Sequence, residues 1–326
     1  MAPWLYLQLH LLVALLATTA VFGRLISMPA PALVVWRTLL AMLGGALLLT
    51  LGSRRKLLPP PGRLLPLIGI GAIIGLHWMC FFGAIKLANI SICLAGMATV
   101  SFFTALTEPF FERRRIRPVE IALGLLVVAG VLLVAGFERG RLPGLGVALV
   151  GALLAAVFPV LNRRLVRGMG PLEPLVIITW EMLGACLACL VTLPWLEGAG
   201  AYGRLFRWHG LDWLWLLLLA WPCTIFAHAA FVGLLRHLSA YTTNLAINFE
   251  SIYGILAAVV VFGEHRQLHP GFFLGAGALL AANLLHPLLL RAIERRKLAE
   301  DAGPGEALTK WNADTGERGT AKREKR

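Results

Sequence analysis

Apolar residues run along this chain in unbroken stretches of about twenty, cut by short loops rich in Gly, Pro and charge. A helix needs roughly 20 mainly apolar residues to cross the hydrocarbon of a bilayer. The pattern predicts ten such helices, near residues 4–23, 32–51, 64–85, 91–111, 119–137, 143–162, 172–194, 211–235, 241–262 and 270–290. The runs lack the period-two alternation of a transmembrane barrel, so strands are not expected.

Composition sharpens that reading. Hydrophobic residues make up 58% of the chain and charged residues only 14%. A soluble domain carries about one quarter charged residues, so this chain lacks the charge to cover a water-facing globule. The formal charge of +13 lies in short loops and the tail, not on one helical face. It lacks the basic stripe with interleaved aromatics that nucleic acid would require, and anionic lipid headgroups are the expected contact.

The placement of the basic residues orients the chain. With the N-terminus inside, one set of loops holds Arg54, Arg55, Lys56, Arg63, Arg113, Arg114, Arg115, Arg117, Arg163, Arg164, Arg167 and Arg236. The opposite set holds Arg24, Lys86, Arg139, Arg141, Arg204, Arg207 and Arg266. Positive loops stay cytoplasmic, so both termini are expected on that side. Ala30-Pro31-Ala32 mimics a cleavage site, but the preceding apolar run is long and has no basic start, which predicts a retained first span.

Five cysteines (Cys80, Cys93, Cys186, Cys189 and Cys223) all fall in apolar runs. Cys186-x-x-Cys189 has no ligand-rich surroundings, so the thiols are expected to pack as small apolar groups. No metal or cofactor is expected. No H-E-x-x-H or activated serine points to an embedded enzyme.

The two halves echo one another. Gly83-Ala84-Ile85-Lys86 parallels Gly233-Leu234-Leu235-Arg236, Phe111-Glu112-Arg113 parallels the Phe262–Arg266 region, Pro118 matches Pro270, and Trp36-Arg37 matches Trp180-Glu181. Five spans per half is odd, so the halves, residues 1–140 and 141–291, must insert with opposite topology. Inverted repeats of this kind mark secondary transporters, with the substrate near mid-membrane. Residues 292–326 mix charge, Gly and Thr and read as a disordered cytoplasmic tail.

Ionisable groups inside the hydrocarbon are functional candidates by default. Glu250 lies nine residues into its span, roughly 13 Å deep at 1.5 Å per residue. It suits substrate-amine contact or proton coupling. Tyr241, Asn244, Asn248 and Ser251 share one face of the same helix, with Glu250 on the opposite side. His77 and His228 occupy equivalent helices, with Trp78 beside the first, and imidazole titrates near neutrality. Glu181 is a further candidate. Arg37 lies only five residues into its predicted span, so its expected course is to snorkel to the surface, and Glu108 is expected to pair with the arginine cluster. Small-residue runs at Gly124, Ala129 and Gly130 and at Gly275, Ala276 and Gly277 should let spans five and ten approach closely.

The stretch Phe249-Glu250-Ser251-Ile252-Tyr253-Gly254 followed by Phe262-Gly263-Glu264 resembles the second repeat of the EamA family of drug/metabolite transporters. Phe22-Gly23-Arg24-Leu25-Ile26-Ser27 with Trp36-Arg37 is similar to one of its branches. Family members often place Pro where this chain has Ser251. The resemblance covers residues 4 to about 290 and brings Tyr253 into the candidate set. It implies a ten-helix carrier of small metabolites such as amino acids or nucleobases, often exported, with a cavity lined by spans 3, 4, 8 and 9. The expected protein is thus an all-α integral membrane transporter of ten helices in two inverted five-helix repeats, in a bacterial inner membrane. It would act by alternating access, proton-coupled or as a facilitator, with a small-molecule substrate and membrane lipids as partners; the oligomeric state is left open, a monomer being one option.

Overall fold

The computed structural model describes residues 3–52, 58–59, 61–112, 118–167, 174–227, 230 and 249–301. Among these residues every regular element is helical. In chain order they are α1 (Pro3–Leu25), α2 (Ala30–Leu47, prolonged by a wide turn Leu48–Gly52), α3 (Leu64–Leu87), α4 (Ile90–Met97), α5 (Val100–Glu112) and α6 (Pro118–Phe137). The series continues with α7 (Leu142–Arg167), α8 (Pro174–Glu197), the short α9 (Ala201–Arg204), α10 (Asp212–Ala220, prolonged by a wide turn Trp221–Phe226), α11 (Phe249–Phe262) and α12 (Pro270–Asp301).

Among the described residues six helical stretches are long and apolar enough to cross a bilayer: Leu7–Leu25, Ala30–Leu51, Leu64–Leu87, Ile90–Phe111, Arg139–Asn162 and Pro174–Glu197. Four shorter apolar helices, Ala122–Phe137, Asp212–Phe226, Phe249–Phe262 and Pro270–Ala282, stand where the remaining spans are expected. Large apolar side chains face outward on many of them, among them Leu65, Phe110, Leu132, Trp195, Val260 and Leu274. An outer surface of this kind is stable only against lipid or another apolar partner.

Helix α3 is the hub, packed along α7 and α8, and α8 also lies along α2. A Cβ on Gly71 would sit 2.0 Å from the Glu181 carbonyl oxygen, and one on Gly184 would sit 2.1 Å from that of Ile68. The α3 and α8 backbones therefore touch, which only hydrogen side chains permit. Helices α6 and α12 form a second pair in which Gly130 and Gly275 face each other's carbonyls, as the small-residue runs anticipate. Helix α1 packs on α11, α4 on α11, and both α4 and α5 on α7.

The predicted fourth span is not one helix. It breaks at Ala98–Thr99, where the Thr99 N–H and hydroxyl both donate to the Gly96 carbonyl, at 3.1 and 2.7 Å. That tightened turn ends α4. The N-terminus of α4 is capped twice. Asn89 accepts the Ile92 N–H, and Glu264 accepts the N–H groups of Ile90 and Ser91 and the Ser91 hydroxyl. Gly263 takes a left-handed φ of 63° after α11, which turns Glu264 back toward α4. Helix α12 also differs from expectation, running to Asp301 and so ten residues into the segment read as disordered. Residues 292–301 are mostly strong helix formers, and extending an existing helix carries no nucleation cost.

Candidate functional site

The site is built around Arg37. Contrary to the expected snorkelling, its side chain is only 3% exposed and points into the protein. Helix α2 starts at Ala30, two residues earlier than the pattern suggests, which carries Arg37 two turns inside. Its guanidinium carbon lies 3.7 Å from the centroid of the Trp78 ring on α3 and 5.5 Å from that of Phe82. Stacking of this kind stabilises a desolvated cation by about 2 kcal/mol. The buried face, not the surface, therefore wins.

Helix α10 supplies the edge contact. Pro222 has no N–H, so the helix widens over Trp221–Phe226, and the Thr224 hydroxyl donates to the Leu219 carbonyl at 2.9 Å. That fixes the Thr224 oxygen where it accepts the Arg37 Nε–H at 3.0 Å. Among the described residues this is the one hydrogen bond Arg37 makes. The four N–H donors on its terminal nitrogens are uncommitted there.

Glu250, in the first turn of α11, is partly buried and within electrostatic reach of Arg37, without closing to ion-pair distance. Its neighbours are held by α1. The Tyr253 hydroxyl and His10 Nδ1 hydrogen-bond at 2.8 Å, and the His10 ring meets Phe249 edge-on at 5.4 Å. Ser251 donates to the Leu94 carbonyl of α4 at 3.4 Å. Where family members often have proline, this chain thus has an interhelical bond.

The other candidates separate from this cluster. His77 is buried, and its Nδ1 lies 2.9 Å from the Gly151 carbonyl of α7. It tethers α3 to α7, while Trp78, the next residue, faces Arg37. Glu181 is fully buried in α8, beside Asn162 and away from the Arg37–Glu250 pair. His228, Tyr241, Asn244 and Asn248 lie outside the described residues, as does the side chain of Glu108.

Carboxylates also lace the loops that the charge pattern places outside. Asp212, at the start of α10, accepts the N–H and hydroxyl of Ser27 at 2.8 and 2.6 Å and the His209 N–H at 3.1 Å. Glu138 pairs with Arg141 and accepts the His269 N–H at 2.6 Å. Together with Glu264 on α4, these tie the α1–α2, α3–α4 and α6–α7 connections to segments of the second half.

The EamA-like transporter family model matches residues 3–136 and 142–292. The chain belongs to the EamA-like transporter family. It is 26% identical over 251 residues to an uncharacterized transporter of Pseudomonas aeruginosa, covering 75% of this chain and 80% of that one. A crystal structure of a protein 22% identical shares the fold, with a TM-score of 0.59, over 89% of this chain and 99% of its own. The EamA-like chain is therefore a multi-pass membrane protein of a transporter family.

Reading the sequence missed Arg37, Thr224 and His10 as site residues. Arg37 had a signal in the Trp36-Arg37 echo of Trp180-Glu181. Thr224 had a weaker one, a hydroxyl two residues after a mid-span proline. Nothing local marks His10, because its partner Tyr253 lies 243 residues away.

Proposed function

We propose that this chain is a secondary carrier that moves small zwitterionic metabolites such as amino acids outward across a bacterial inner membrane by alternating access. One observation carries the reading: Arg37 is buried and stacked, with terminal donors uncommitted among the described residues, and Glu250 faces it beyond ion-pair distance. An unpaired buried guanidinium is costly, and its planar donors match a carboxylate in bidentate geometry. A substrate carboxylate on Arg37 and its ammonium toward Glu250 would complete both charges at once. Trp78 and the His10–Tyr253 pair would border it.

The ten-span arrangement, as halves 1–140 and 141–291 of opposite orientation with cytoplasmic termini, belongs to the same proposal. Two facts support it. The family match falls into two stretches of similar length. Helices also pair with their counterparts five spans on: α2 with α8, α4 with α11, and α6 with α12. The α1–α11 contact is echoed by that of α4 and α5 with α7.

The test is counterflow of radiolabelled amino acids in vesicles containing the purified protein. Arg37→Lys and Glu250→Gln should each lower the rate at least tenfold. Absence of counterflow for every amino acid in the wild type would sink the substrate assignment.

A further inference from the structure

Glu181 has no place in the site just described, yet its surroundings are unusual. It is 0% exposed, and neither carboxylate oxygen closes a hydrogen bond of full geometry, the Asn162 side chain being the group in reach. Asn162 of α7 lies beside it, and the Asn162 side-chain oxygen is also buried without a partner. Its chain neighbour Met182 belongs to an apolar cluster with Ile70 and Ile74, against which Phe158, Leu161 and Leu165 pack. The close α3–α8 contact at Gly71 seals the helix there.

Three acceptor oxygens with no donor in reach but the Asn162 amide N–H do not suit an ionised carboxylate, because an under-compensated buried charge costs several kcal/mol. One added proton resolves the arrangement. A neutral Glu181 carboxyl donates its O–H to Asn162 Oδ1, which satisfies the amide oxygen and removes the charge. We propose that Glu181 and Asn162 form a proton-binding site, separate from Arg37 and Glu250, and that it couples proton movement to the carrier cycle; the coupling role rests on the transport reading above. The proton is taken from water at the start of α8, seven residues away, and is released to the opposite side of the membrane.

Other charged groups on the packed helices are engaged elsewhere. On α2, Arg37 is held by Trp78 and Thr224. On α3, His77 is held by Gly151, Lys86 donates to the Ile26 carbonyl, and Arg63 has a partner. On α9, Arg204 pairs with Glu197. The side chains of Arg163, Arg164 and Arg167 on α7 lie outside the described ones. Among the described residues Asn162 is the polar neighbour.

Infrared spectroscopy of the purified protein in liposomes tests the site without a substrate. At neutral pH the wild type should show a carboxylic-acid C=O band that Glu181→Gln removes and Glu250→Gln retains. Asn162→Leu, which deletes the acceptor, should move that band to higher frequency. A band indifferent to Glu181→Gln, or a wild-type thermal stability that rises with sodium in a Glu181-dependent way, would overturn the proton assignment. Coupling is read separately, as a pH change inside dye-loaded vesicles driven by a gradient of mixed amino acids. Wild type should acidify or alkalinise the lumen, whereas Glu181→Gln should exchange amino acids with no pH change. Proton flux persisting in Glu181→Gln would end the coupling role. Loss of amino-acid movement in the wild type would end the transport reading and leave the infrared result standing.

Discussion

The guanidinium carbon of Arg37 lies over the Trp78 ring, 3.7 Å from its centroid, in the interior of a helix bundle with an apolar exterior. The indole face replaces part of the hydration that the cation gives up. Trp78→Ala removes that face and should destabilise the protein by about 2 kcal/mol, lowering its thermal unfolding midpoint in detergent. Trp78→Phe, which keeps a ring, should recover part of the loss. Equal midpoints for Trp78→Ala and wild type would show that the stacking contributes nothing.

Glu264 reaches from the end of α11 to the start of α4 and accepts two N–H groups and one hydroxyl. Glu264→Ala leaves three buried donors unpaired, a cost on the order of 3 kcal/mol. Glu264→Gln keeps one acceptor and should cost less. The measurement is again the unfolding midpoint, and the predicted order is wild type, Gln, then Ala.

Glycine positions give a matched pair. A Cβ at Gly71 would collide with the Glu181 carbonyl, whereas one at Gly146 meets nothing within 4 Å. Gly71→Ala must push α3 and α8 apart and should cost about 1–3 kcal/mol. Gly146→Ala in the second turn of α7 should stabilise by roughly 0.5–1 kcal/mol through helix propensity. If both substitutions behave alike, the close α3–α8 contact is wrong.

Closure of the loops at the α1–α2 end can be locked. The Ser27 hydroxyl and His209 Nδ1 stand 3.4 Å apart at an exposed position. The Ser27→Cys, His209→Cys double variant should form a disulfide under mild oxidation. The native thiols will not compete, because all but the half-buried Cys80 are buried. Under alternating access the oxidised protein should lose transport and regain it on reduction. Undiminished transport by the fully cross-linked protein would exclude opening at that end.

The chain announced its solvent before its site. Runs of twenty apolar residues leave a helix one low-energy way to satisfy its backbone in lipid, so helix positions were legible from residues 4–23 onward. The family stretch around Glu250 was legible too, because Phe249, Glu250 and Tyr253 stand close together in sequence. Arg37 was not. Depth counted from a helix start cannot show whether Trp78, on another helix, covers the cation. Nor could the pattern show the break at Thr99, since Gly96 and Thr99 read as ordinary members of an apolar run.

The sequence by itself determined the helices, their apolar surfaces and the family, because those follow from local composition and backbone hydrogen bonding. Only the tertiary structure decided which polar groups meet. It set Arg37 against Trp78 and Thr224, His10 against Tyr253, and Glu181 against Asn162. Those pairings depend on helix rotation and on glycine contacts such as Gly71 with Glu181, quantities that no single helix carries in its own residues.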